Sequence, residues 1–193
     1  MKKVKTDIRQ KLIEAALALA SKQDWSQLSL EQIAKAAKVL AHDAQKTFAN
    51  LNDILPAIVE KIDGDVAKAV GRPLSSGTPH DRLFEVMMAR FDILQKHRKA
   101  ILGIIASVKR DPSLARNLMP AQAKALQKML AIAGLQQDGV KQVLATVGLL
   151  AVYVASLRSW ERDQTRDMTP TMAVLDRYLR RAGKLAEIVF STI

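Results

Sequence analysis

The chain has 193 residues, with 30 Lys and Arg against 19 Asp and Glu, a formal net charge of +11. It holds 28 alanines and 24 leucines, only 22 Gly, Pro and aromatic residues together, and no cysteine. Ala and Leu cost little in a helix and Gly and Pro cost most, whereas a sheet would need more β-branched and aromatic side chains; an all-α chain is expected, and a disulfide framework, thiol catalysis and Cys-based metal sites are excluded.

At this length the expectation is one domain of about 150 residues with a small appendage. An apolar fraction of 49% suits a packed core rather than disorder. The basic N-terminus (Lys2, Lys3, Lys5) leads into no apolar stretch with a small-residue cleavage site, so no signal peptide is expected and the protein is read as cytoplasmic.

In chain order, Ile8, Leu12, Ala15, Ala16 and Leu19 repeat at helical spacing and predict a helix over 7–21. Ser29-Leu30-Glu31-Gln32 is a capping-box pattern opening a second helix to about Ala37. A third short helix follows from about Ala41 to Phe48, and Asn50 is placed to cap a longer one from Leu51 to about Val70. The segment 71–79 is rich in Gly, Pro and hydroxyl residues and reads as a loop. Further helices are expected near 80–95, 97–109, 113–134, 138–162 and 170–190, about nine in all, with Thr169 as N-cap and Pro170 at the first helical position of the last. The longest apolar run, Val143 to Leu157, is shorter than the roughly 20 residues of a bilayer span and reads as a core helix.

Two short helices joined by a tight turn behind a longer one invite comparison with helix-turn-helix modules. Leu12-Ile13-Glu14-Ala15-Ala16, the run Ser29 to Ala34, Ala37-Lys38-Val39, Phe48 and Asp53-Ile54-Leu55 together resemble the TetR family of transcriptional regulators over about residues 9–59. The resemblance implies an N-terminal three-helix head (1–50) that binds duplex DNA at a palindromic operator. It also implies a C-terminal bundle (51–193) that holds a small apolar ligand and forms a homodimer through the last two helices. The chain departs from the family pattern where Lys38 stands for the turn glycine, Leu40 for the capping serine, Gln45 and Thr47 for a Tyr and a His, and Leu51 for a Lys. Lys38 is expected to need a turn without positive φ, and Asp43 adds a negative charge to the third helix.

On this scaffold the DNA-binding residues are expected to be the basic arm Lys2, Lys3 and Lys5, then Lys35 and Lys38, and His42, Gln45, Lys46 and Thr47 on the third helix. Gln can read adenine bidentately, and Lys can reach guanine or phosphate. Positive charge is not confined there: residues 1–50 carry 9 basic and 5 acidic side chains, residues 51–193 carry 21 and 14.

Phe84, Met87, Met88, Phe91, Met119, Met129, Tyr153 and Trp160 supply bulky, adaptable side chains for a ligand. Ala145, Gly148, Val152 and Ala155, with Leu175 and Leu179, are read as the dimer interface. A second stretch, Asp81-Arg82-Leu83-Phe84-Glu85-Val86-Met87-Met88-Ala89-Arg90-Phe91-Asp92 with Leu175-Asp176-Arg177-Tyr178-Leu179-Arg180-Arg181, resembles the ubiquinone-biosynthesis lipid-binding proteins. Those share the fold, are without DNA binding, and hold isoprenoid lipids. The last helix, with Arg177, Arg180, Arg181 and Lys184 beside an apolar face, suggests peripheral membrane contact.

Catalysis finds no support. His42, His80 and His97 are far apart in sequence, no metal-ligand spacing or phosphate loop is present, and Glu161, Asp163 and Asp167, interleaved with arginines, read as a solvated helix end. No enzyme activity, metal or cofactor is expected.

Overall fold

The computed structural model describes the backbone of residues 2–190 and the side chains of residues 7–187. Among the described residues there are nine α-helices, two single 3-10 turns and no strand. The order is α1 (Lys2–Ala20), a 3-10 turn (Trp25–Gln27), α2 (Leu30–Ala36), α3 (Ala41–Thr47), a second 3-10 turn (Leu51–Asp53) and α4 (Ile54–Val70). Then come α5 (Pro79–Lys96), α6 (Arg98–Arg110), α7 (Pro112–Ile132), α8 (Gly139–Arg162) and α9 (Thr169–Phe190). The helices group into two units, one of residues 1–62 and 94–122, the other of residues 63–93 and 123–193.

In the first unit, α1, α2 and α3 pack on one another and α6 lies along α1. Leu12, Ile13, Ala16, Leu17, Ile33, Ala34, Ala44 and Phe48 form the core. The close approach of α6 to α1 occurs at Gly103, where a Cβ would stand 3.2 Å from the Ala20 carbonyl oxygen. The segment between α1 and α2 is a built corner: Trp25 is buried, and Asp24 caps its 3-10 turn. Asp24 also accepts from Ser107 (3.1 Å) and pairs with Arg110 of α6. The Arg110 guanidinium, then the Ser26 donors, hold the Asp24 carboxyl well below the usual carboxylate range.

The capping box of α2 forms as its residues predict: Gln32 N donates to Ser29 Oγ (3.1 Å) and Ser29 N to Gln32 Oε1 (2.9 Å). The α2–α3 turn departs from expectation. Lys38 occupies it with φ 55°, so the turn keeps the left-handed geometry a glycine would adopt without strain. Leu40, at the N-cap of α3, makes no side-chain cap bond and is 73% exposed. Asn50 caps the second 3-10 turn, through Asn52 N and Asp53 N, and α4 begins only at Ile54. The basic N-terminal segment is the first part of α1 and not an extended arm.

The second unit is dominated by α8 on α9. Its core takes Val86, Met87, Phe91, Leu126, Met129, Tyr153, Trp160 and Leu175, and into this core the chain sends a charge pair. Arg90 NH1 lies 2.5 Å from Asp63 Oδ1, with side chains 1% and 2% exposed. Arg90 also stands over the Tyr153 ring, 5.3 Å from its centroid. Burial opposes charge on Arg90, but Tyr153 and Asp63 outweigh it and raise its pKa. The 71–78 loop is pinned to the end of α7: Leu74 N donates to Ile132 O (2.8 Å) and Arg82 Nε to Ala133 O (2.8 Å). Gly134 permits this, since its φ is 65° and a Cβ there would lie 3.0 Å from Leu74 O.

Two regions of this unit depart from expectation, the α8–α9 corner and α8 itself. Asp163 is 5% exposed and is no solvated helix end: it accepts from Thr165 N and Oγ1 (2.9 and 2.6 Å) and from Thr171 N and Oγ1 (3.1 and 2.7 Å), closing the α8–α9 corner. The start of α9 is capped by Asp163 and by Asp167, which accepts from Thr169 N (3.3 Å), rather than by Thr169. Burial works against the Asp163 carboxylate, but the Thr165 and Thr171 donors prevail and lower its pKa. Second, α8 is a core helix on one face only. With 24 residues it is long and apolar enough by composition to cross a bilayer. Thr146, Leu149, Val152, Tyr153, Ser156 and Trp160 are buried, while Val140, Val143, Leu144, Val147 and Val154 are exposed on the opposite face.

Replacing Lys38 by Gly is expected to raise stability by about 1 kcal/mol, and Leu40→Ser by about 1 kcal/mol, both read from urea unfolding midpoints. Because the folded pKa of Asp163 is lowered, its stabilisation is present above its unfolded pKa of about 3.9 and is lost as pH falls through the folded value. Asp163→Asn should therefore lose less stability than the parent between about pH 5 and pH 2, measured by thermal melts across that range.

Candidate functional site

The first unit offers a surface built by α3. Its helical period sends Ala44 and Phe48 into the core and leaves His42, Gln45 and Lys46 exposed on the opposite side. Lys35 at the end of α2 and Lys38 in the turn are also exposed. Two of the remaining polar groups on α3 serve the helix itself. Thr47 Oγ1 donates to Asp43 O (2.7 Å), so Thr47 is half-buried and its proton is committed. Asp43 sits in the first turn, where a carboxylate is favoured by the helix dipole, and lies 3.2 Å from His42 Nδ1. Arg9 is tied down as well: NH2 is 2.6 Å from Glu60 Oε2 and its guanidinium lies 5.8 Å from the centroid of Phe48. Lys2, Lys3 and Lys5 lie on α1, and their side chains fall outside the described residues. The geometry thus brings Lys35, Lys38, His42, Gln45 and Lys46 to the α2–α3 region as a polar, cationic surface.

The residues read as ligand-binding divide. Met87, Phe91, Met129, Tyr153 and Trp160 are buried in the core of the second unit, with Phe91 and Tyr153 in ring contact (6.0 Å between centroids). Phe84 and Met88 are half-buried, and Phe84 stacks with His80 (6.2 Å). Met119 belongs to the first unit and is 50% exposed. Met87, Phe91, Met129 and Trp160 are each fully buried, as residues of a close-packed interior are. Two surface grooves are lined by other residues. One, of about 430 Å³, lies in the first unit between Glu14, Leu17, Ala18 and Ser21 of α1 and residues 95–100. The other, of about 260 Å³, lies in the second unit along α7.

Sequence reasoning missed the Asp63–Arg90 pair at the centre of this core. A signal was present: Arg90 falls on the apolar stripe Val86, Met87, Phe91, Leu94, and Asp63 on the stripe Val59, Ile62, Val66. A charge within such a stripe requires a buried partner.

Of the residues read as a dimer interface, Val152, Leu175 and Leu179 are buried within the subunit, and Ala145, Gly148 and Ala155 are half-buried at the margin of α8. The exposed apolar stripe of Val140, Val143, Leu144, Val147 and Val154 lies away from Val152, with Gly148 and Ala155 along its edge. On α9, Arg177, Arg180, Arg181 and Lys184 are exposed. Its apolar side is packed away at Leu175 and Leu179, leaving Met172 and Leu185 exposed. Among the described residues no group of three His, Cys, Asp or Glu is placed to hold a metal ion. His80 instead joins α5 to α9 through Asp176 (Nε2–Oδ1 3.1 Å).

No family model matches the chain, and no curated protein matches it. Solved structures do. A TetR transcriptional regulator from Nitrosomonas europaea is similar at a TM-score of 0.70 with 19% identity, covering 91% of this chain and 97% of that one. A TetR transcriptional regulator from Rhodococcus sp. RHA1 is similar at 0.64 with 16% identity, over 91% and 94%. The multidrug binding protein EbrR, complexed with imidazole, is similar at 0.56 with 22% identity, over 88% of each chain. The chain therefore has the all-α TetR fold.

Removing the carboxylate of the buried pair, Asp63→Asn, is expected to cost about 3–5 kcal/mol, because it strands Arg90 in the core. The double variant Asp63→Leu/Arg90→Met should cost clearly less than that single variant. Urea unfolding of the two proteins gives the comparison, and equal losses would show that the charge is not the source of the cost.

Proposed function

We propose that the protein is a TetR-type transcriptional regulator. In this reading residues 1–50 are a DNA-binding head, residues 51–193 a ligand-binding and dimerising bundle, and a two-fold dimer places two α3 helices on the half-sites of a palindromic operator. The observation that carries it is the outward face of α3, where His42, Gln45 and Lys46 are exposed while Ala44 and Phe48 are buried. A second helix braced by the first and exposing this face is the arrangement that enters a major groove. Gln45 is the base-reading residue; Lys46, Lys35 and Lys38 are phosphate or base-edge contacts, and Lys2, Lys3 and Lys5 follow the backbone.

Dimerisation is assigned to the exposed stripe of α8, with Val147 at its middle. Burying its valines and leucine against a second copy gains about 1–2 kcal/mol for each side chain and removes an apolar face that a single subunit leaves in water. Small residues beside the stripe, Gly148 and Ala151, allow the helices close approach. A small apolar ligand entering among Met87, Phe91 and Met129 would have to open a filled core. It would act on DNA binding by favouring one conformation of a helix shared by both units, such as α4. EbrR, complexed with imidazole, supports a small-molecule ligand in this fold.

One observation favours the lipid-binding, DNA-incompetent alternative: α3 begins at an uncapped, 73% exposed Leu40 followed by Asp43. Solvent extraction of the purified protein that released an isoprenoid lipid, together with loss of preference for any duplex, would establish that alternative.

For the regulator, Lys46→Ala should weaken duplex binding uniformly across sequences and reduce the slope of log K against log salt by about 1. Gln45→Ala should cost about 1–3 kcal/mol on the preferred duplex and relax preference at one position. Fluorescence anisotropy over a salt series measures both, and unchanged slopes and preferences would exclude α3 as the reader. Val147→Glu is expected to convert a dimer to a monomer in sedimentation; an unaltered dimer would place the interface elsewhere.

A further inference from the structure

The groove along α7 has a chemistry that the regulatory reading does not use. Lys124, Gln127, Lys128 and Ala131 line one face of α7 at helical spacing, opposite Gln136 in the following loop and Gln142 in the first turn of α8. The lining holds two lysines, three glutamines and no acidic residue. Asp138, the nearest carboxylate along the loop, is exposed and is not part of the wall. Gln142 is fixed: its Oε1 accepts from Gln137 N (2.8 Å) and its Nε2 donates to Thr146 Oγ1 (3.2 Å). Lys124 makes no ion pair among the described residues.

Lys128 has a partner, but a dispensable one. Its Nζ lies 3.7 Å from Asp63 Oδ2, with its side chain 45% exposed. The other oxygen of that buried carboxylate is 2.5 Å from Arg90. Two cations thus share one carboxylate, and the outer of them is the looser. If Lys128 swings to a ligand in the groove, Asp63 keeps Arg90, so no buried charge is stranded.

We propose that this groove is a binding site for a compact phosphate-class oxyanion, with the Lys124 and Lys128 ammonium groups as charge partners and the Gln127 and Gln136 amides as donors. Two lysines match the charge of a phosphate dianion, and lysine binds phosphate as a point charge without the planar geometry arginine demands. Glutamine amides donate to its remaining oxygens. A volume of about 260 Å³, just under the roughly 300 Å³ at which drug-sized sites begin, accommodates a phosphate with a small polar body.

The test is calorimetric titration of the full-length protein with inorganic phosphate and with glucose 6-phosphate, with glucose and chloride as controls at matched ionic strength. Saturable binding of either phosphate with none of glucose is expected. Tighter binding of the ester identifies a phosphorylated metabolite as the ligand, and tighter or equal binding of inorganic phosphate identifies the free oxyanion. Lys124→Gln/Lys128→Gln should weaken binding about tenfold or more, while Lys124→Arg/Lys128→Arg retains it. The single variant Lys124→Gln, which disturbs no ion pair, should lose several-fold should the double variant not fold. Phosphate heats that match the chloride control, or Gln variants that bind as tightly as the parent, would overturn the site. No DNA enters the assay, so its outcome is separate from that of the regulatory reading.

Discussion

The seating of α3 on the first two helices through Ala44 and Phe48 is the constraint on which the rest of the head depends. Everything local opposes that helix: it has seven residues, too few to be stable alone, its N-cap makes no side-chain bond, and the turn before it holds Lys38 at positive φ. Those two defects cost about 1 kcal/mol each. Burial of Phe48, worth roughly 1.5–3 kcal/mol by itself, and of Ala44 outweighs them. Because the buried side chains fix the helix about its axis, they also decide that His42, Gln45 and Lys46 are the residues presented outward. Tertiary packing, not local propensity, therefore sets which side chains could meet DNA.

The second unit solves a different problem. Its core contains a full charge pair, which hydrophobic residues of similar volume could replace without loss of stability. Such a pair makes arrangement specific rather than strong: Asp63 on α4 has to find Arg90 on α5, and Arg90 has to find Tyr153 on α8. Around it, α8 meets two demands with opposite faces, one filled by Val152, Tyr153 and Trp160, the other a stripe of valines left to solvent. A helix apolar on two faces is normally buried on both, and the exposed half is the ground for proposing that a second copy of the chain covers it.

Much of the fold was legible because the signals were local. The Ser29–Gln32 capping box, the glycine- and proline-rich loop after Val70 and the helical spacing of Leu12, Ala16 and Leu19 each act within a few residues, so their consequences could be read in order. What escaped depended on partners distant in sequence. Nothing near Asp24 in the sequence marks it as the residue that Arg110 and Ser107 are brought to. Asp163 looked solvated for another reason: its partners Thr165 and Thr171 are only two and eight residues on, but a corner with no helical spacing folds them back onto it. Val152 and Leu175 are buried within the subunit, and their apolar character is identical whether a helix meets its own subunit or another. For the candidate site, the exposure of His42, Gln45 and Lys46 agrees with the period of α3. The commitment of Thr47 and Arg9 to internal bonds could not be seen without the backbone and Glu60 in place.

The α3 face is proposed to read duplex DNA despite its uncapped start and the left-handed lysine in the turn before it. Selection from a random duplex pool by the full-length protein, at physiological salt with competitor DNA, tests it most directly. The expected result is enrichment of an inverted repeat whose half-site centres lie about one helical turn or a multiple of it apart, lost when Gln45 is replaced by Ala. Recovery of an unenriched pool, with the selected duplexes held no more tightly than random ones, would contradict it.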